Sequence, residues 1–249
     1  MSPPTLASLR IPGDRLRRTA GAFETVGSAW ALAAVAPIAL TALAITAGYV
    51  AAGGADPGFP PHFPTLVYGV ANLAVVGSLF VALDSAPFAA AALFRTPSSR
   101  EIAAGAVATA LGVFVGWPAT TVLADALGVA RYAPATVTTT AGALAVGFGA
   151  VTVAPVAEEL LYRGLLVGVG IERGHRPLVV GAASLAVFAV VHAFTAGVAG
   201  VLNAALLGSL LTWLRLRFDN LVGAWLFHAL NNLLELLVGL SLLPSLYAL

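Results

Sequence analysis

The sequence predicts an all-α polytopic membrane bundle of about seven, possibly eight, transmembrane helices, with the N-terminus cytoplasmic. Three observations lead there. Composition is the first: 59% of the 249 residues are hydrophobic and 9% charged, with mean hydropathy +0.95, whereas a soluble domain carries about 25% charge. The second is a recurrence of apolar runs near the roughly 20 residues that one spanning helix needs. The third is an alternation of arginines between the connecting segments.

The elements follow in order. Residues 1–26 read as a polar, basic cytoplasmic tail; the apolar run after it is too long for a signal-peptide core and lacks a cleavage site. Ser28 to Ala52 is the first span, closed by the Gly/Pro-rich loop GGADPGFPPHFP. Thr65 to Phe94 is the second. Ile102 to Leu127 is the third, broken near Trp117 and Pro118. Val137 to Ile171 is the fourth. Leu178 to Leu214 is uncharged and too long for one span, so it folds as two with a turn near Thr195 to Gly200. Leu221 to about Leu240 is the last, and the tail around Pro244 offers a partial eighth segment. Three regions result: the tail, N-terminal helices over 27–136, and a helical region over 137–249 that carries the chemistry.

Arginine placement checks this layout, because cytoplasmic loops are enriched in basic residues. On one side fall Arg10, Arg15, Arg17, Arg18, Arg95, Arg100, Arg173, Arg176, Arg215 and Arg217; the other side holds Arg131. Pairs of small residues, Gly112/Gly116 and Gly164/Gly168, suit close helix packing. There is no Cys, which removes disulfides, a cysteine nucleophile and thiolate metal ligands. The net charge of +1 gives no footing for nucleic acid.

Polar groups inside the spans are costly and point to a buried site. Glu158, Glu159 and Arg163 lie on the fourth span, His192 late in the fifth, and His228 and Asn232 on the last. Glu159 and Arg163 are four apart, share a face and can pair. Glu158 points about 100° away, toward Tyr162, and needs another partner. Tyr162 is open to packing or to a hydrogen bond with Glu158. Phe188 sits one turn before His192. Counting about 1.5 Å per residue puts Glu158 and His192 roughly 20 Å deep and His228 to Asn232 roughly 12–18 Å. Three helices thus bring polar groups to one level.

A carboxylate beside a histidine can take a proton from water. A second His and an Asn amide can meet a developing oxyanion. Glu158, His192 and His228 are also a set that zinc accepts, although the H-E-x-x-H spacing is absent. Both mechanisms stay open on the residues alone.

Glu158-Glu159-x-x-x-Arg163, Phe188-x-x-x-His192 and His228-x-x-x-Asn232, in that order on successive motif helices, resemble the CPBP family over roughly Val137 to Leu240. This is the family of CAAX proteases and bacteriocin-processing membrane proteins. The resemblance implies an intramembrane endopeptidase acting near the C-terminus of a membrane-anchored, prenylated or unprenylated protein or peptide. It implies Glu158 helped by His192 as water activator, His228 and Asn232 as oxyanion donors, and Glu159 and Arg163 as orienting residues. A non-catalytic scaffold or bacteriocin-immunity protein of the same fold is the alternative.

The Ala/Val/Gly/Arg bias without Lys points to a prokaryotic cell membrane, with the site toward its cytoplasmic half. His62 and His175 read as solvated loop residues. Asp125 is expected at the outer interface, and Asp84 reads as deeper, within the second span.

Overall fold

The computed structural model describes residues 21–27 and 30–248; the basic tail, with Arg10, Arg15, Arg17 and Arg18, lies outside them. Among the described residues there are helices and no strands. The main helices are α1 (Ala36–Ala51), α2 (Phe63–Ala82), the short α3 (Ser85–Ala91), α4 (Ser99–Ala126), α5 (Thr140–Glu172), α6 (Pro177–Val191), α7 (Ala193–Phe218) and α8 (Val222–Gly239). Five of them, α2, α4, α5, α7 and α8, are long and apolar enough to cross a membrane. The α1 and α6 helices are apolar but shorter, at 16 and 15 residues. The chain is an integral, multi-pass helical membrane protein.

Several expected boundaries move, each for a local reason. The expected start of the first span at Ser28 lies outside the described residues; α1 begins at Ala36, with Pro37 in its first turn. Proline suits the first turn of a helix, where its missing N–H would have no partner in any case, and its ring crowds the turn before it. A separate helical turn, Trp30–Ala33, precedes it, and Phe23 is buried against Gly168 of α5. The second span ends early. Leu83 takes an extended conformation and Asp84 caps α3, exposed, so the carboxylate that looked deep sits at a helix end. Asp125 is exposed in the last turn of α4, in a two-pronged pair with Arg131 at 2.7 and 2.8 Å. The tail forms no eighth span. It ends in a 3-10 turn, Leu246–Ala248, whose Tyr247 is buried and stacked on Trp117.

The turn expected near Thr195 to Gly200 is present. Ala196 and Gly197 leave helical geometry inside α7, and Gly197 has φ 59°, ψ −147°, a region essentially restricted to glycine.

Two long helices widen where proline enters. The α4 helix is π-helical over Gly112–Gly116, just before Pro118; α5 is π-helical over Gly147–Val153, just before Pro155. A proline lacks the N–H for the usual i→i−4 bond, and the wider turn absorbs it without ending the helix. A third π-helical stretch, Glu159–Leu166, contains no proline. It holds Glu159 and Arg163.

That stretch is the centre of the core: Leu160, Leu161, Tyr162, Leu165 and Phe188 pack there with Leu207, Leu211 and Phe227. A Cβ on Gly164 would collide with the Ala91 carbonyl oxygen of α3. Only glycine permits that approach, so α3 docks on α5 beside the motif.

Candidate active site

The π-helical register gives α5 its reach. A slipped ladder opens backbone carbonyls to outside donors. Three α5 carbonyls accept side chains from other helices, and all three lie in π-helical stretches: Ala150 from Asn232 Nδ2 (2.8 Å), Tyr162 from Ser184 Oγ (2.7 Å), and Arg163 from Arg215 Nε (2.9 Å). Helices α6, α7 and α8 are each hydrogen-bonded to α5 next to the motif residues.

Glu159 and Arg163 are both fully buried and pair at 3.1 Å. Arg163 Nη2 donates to the Gly208 carbonyl of α7 at 3.3 Å, and its guanidinium carbon lies 4.0 Å from the centre of the Phe188 ring. Glu159 Oε1 also meets His228 Nδ1 at 2.9 Å. Glu159 is an acceptor there, so Nδ1 carries a proton and Nε2 is the nitrogen turned elsewhere. It is turned toward Glu158, whose Oε2 lies 3.7 Å away. Glu158 Oε1 accepts from the Tyr68 hydroxyl of α2 at 2.7 Å, while its buried Oε2 has no donor among the described residues.

His192 ends α6. Its Nδ1 bonds the Phe188 carbonyl at 2.7 Å, which leaves Nε2 free, and its ring lies 4.6 Å from the Phe188 ring. Phe188 also meets His228 edge-on at 6.1 Å and Tyr162 at 5.2 Å. The structure therefore brings Glu158, Glu159, Arg163, Phe188 and His228 into one contact set, with His192 joined through Phe188. Asn232 stands one turn beyond His228, its amide fixed between the Ala150 carbonyl and Asn231. Tyr162 does not reach Glu158; its hydroxyl donates to the Ala34 carbonyl at 2.6 Å.

Sequence reasoning missed Tyr68, Asn231 and Glu235. Glu235 accepts from Tyr132 (3.0 Å), Tyr247 (2.8 Å) and Asn231 (3.2 Å), and Asn231 accepts in turn from Trp117 Nε1 (3.0 Å). The signal for Glu235 was on the page: a carboxylate inside the last span, four residues after Asn231. Tyr68 gave none, because its partner is 90 residues away.

Among the described residues, no group of three His, Cys, Asp or Glu side chains is placed to hold a metal ion. Glu158 and His228 supply two donors, and His192 does not close the set. As placed, the residues do not fit a zinc cage.

An all-α polytopic bundle that closes over a carboxylate–histidine pair defines the class: a membrane protein with an internal polar site. Residues 140–234 match a family model described as type II CAAX prenyl endopeptidase Rce1-like, so this segment is similar to that family. No curated protein and no solved structure matches the chain.

Proposed function

We propose that the chain is an intramembrane endopeptidase that cuts near the C-terminus of a membrane-associated protein, with Glu158 as the base. One observation carries this reading: Glu158 Oε2 is buried, without a donor among the described residues, and 3.7 Å from His228 Nε2. Tyr68 occupies Oε1 and so leaves Oε2 as the basic oxygen. A water held by Oε2 loses its proton to that oxygen as its own oxygen attacks the scissile carbonyl carbon. His192, whose Nδ1 is tied to Phe188, offers Nε2 as a second acceptor for the same water.

His228 gives Nδ1–H to Glu159, and a proton on Nε2 would face the developing oxyanion. Asn232 gives one amide hydrogen to the Ala150 carbonyl and keeps one for that oxyanion. Collapse of the intermediate breaks the C–N bond, and Glu158 returns the proton to the leaving amine. Arg163 balances Glu159, so that one carboxylate is committed to structure and the other to chemistry.

The test is cleavage of a panel of prenylated and unprenylated C-terminal peptides by the purified, reconstituted chain, with and without a zinc chelator. The reading expects internal cleavage that the chelator leaves intact. Survival of every peptide would contradict the endopeptidase reading, and loss of cleavage with chelator would contradict the metal-free step.

A further inference from the structure

Away from the motif helices, the α3–α4 connection, the first turn of α4 and the junction of α7 with α8 enclose a cleft of about 410 Å³. Arg95, Arg100 and Arg217 line it, with Thr96, Ser98 and Asn220. None of the three arginines has an acidic partner among the described residues. The carboxylate in the floor, Glu101, is already committed: Oε1 accepts from Gly223 N (2.8 Å) and Oε2 from Asn220 Nδ2 (3.0 Å). Beneath it Arg215 is satisfied by Asp219 at 2.7 Å. Three like charges therefore converge on one cleft whose one lining acid among the described residues is spent on holding the start of α8.

The surroundings say what kind of anion completes it. The cleft lies at the helix ends, next to the edge-on pair of Phe94 and Trp225, 6.5 Å apart, and aromatic side chains favour the headgroup level of a bilayer. Below it the outward face of α4 is apolar and exposed: Ala103, Val107, Leu111 and Phe114. A basic cleft above an apolar wall matches a phosphate that carries acyl chains. Arginine forks suit its oxygens. We infer that Arg95, Arg100 and Arg217 form a binding site for the phosphate of an anionic membrane lipid. Because the floor holds Glu101 against the Gly223 N–H, the bound lipid braces the N-terminal end of α8, the helix that carries His228 and Asn232.

The test titrates the full chain, in a neutral detergent, with phosphatidylglycerol or phosphatidylcholine and reads lipid bound by native mass spectrometry. At about fivefold per arginine, wild type should hold phosphatidylglycerol at least tenfold tighter than phosphatidylcholine. The triple variant Arg95→Gln/Arg100→Gln/Arg217→Gln should lose that preference and leave phosphatidylcholine binding unchanged. Arg131→Gln, at the opposite end of α4, should keep it. Should the triple variant not fold, Arg100→Gln alone, on an exposed side chain, should cost at least threefold. A preference that survives in these variants, or that falls equally in Arg131→Gln, overturns the site. Displacement by glycerol 3-phosphate at equal concentration would assign the cleft to a free phosphate and overturn the lipid.

Discussion

Replacing Arg163 by Met is the most informative change to the core, because it removes a charge while nearly keeping the volume. Arg163 is fully buried. The variant loses the 3.1 Å pair with Glu159, the 3.3 Å bond to the Gly208 carbonyl and the stacking over Phe188 at 4.0 Å. A hydrogen bond to a charged group contributes about 1.5–3 kcal/mol, and a desolvated cation–π contact about 2 kcal/mol. The larger effect is the carboxylate left behind, since breaking a buried pair from one side costs about 3–5 kcal/mol. We expect Arg163→Met to destabilise by about 3–5 kcal/mol, read by reversible SDS unfolding in mixed micelles. The double variant Glu159→Gln/Arg163→Met removes both charges and should recover at least about 1–2 kcal/mol relative to the sum of the singles. A loss below about 1 kcal/mol, or strict additivity in the double variant, would refute the view that Glu159 and Arg163 are coupled as a buried pair.

Other changes separate structure from chemistry. Tyr68→Phe deletes one hydroxyl facing a charged acceptor and should lower kcat about 10–100-fold; an unchanged kcat would remove Tyr68 from the site. Glu235→Ala removes the acceptor shared by Tyr132, Tyr247 and Asn231, of which Tyr247 keeps Asn203 and Asn231 keeps Asn232, and should cost about 1–3 kcal/mol in the same unfolding assay. Glu235→Gln retains an acceptor and should cost less than half as much; equal losses would mean that the network is held by packing instead. Gly197→Ala forces a side chain onto φ 59°, ψ −147° and should destabilise by about 1–3 kcal/mol. A neutral result would show that the α6–α7 turn is free to re-form.

What the sequence made legible was the chemistry that lies on single helices, and what it hid was register. Glu159 and Arg163 could be paired from their spacing, and the depth count placed His228 level with the α5 carboxylates. The lengths of the second span and of α1 were misjudged because apolar composition does not report breaks. Leu83 turns extended inside an apolar run, and α1 starts at Ala36 with Pro37 in its first turn. The π-helical stretches were not readable either. Two follow from prolines, but the third depends on Ser184 and Arg215 reaching the Tyr162 and Arg163 carbonyls from other helices. Tyr68 illustrates the general limit, since a partner 90 residues away leaves no local pattern.

The central claim is that Glu158 takes the proton from water, and single-turnover cleavage by Glu158→Gln tests it most directly. The amide keeps the size of the side chain and an acceptor for Tyr68 but is not a base. With a melting midpoint matching wild type and substrate bound equally well, the account predicts a rate constant about 10²–10⁴-fold lower. A folded Glu158→Gln that cleaves within about tenfold of wild type would contradict it and move the base to His192 or His228.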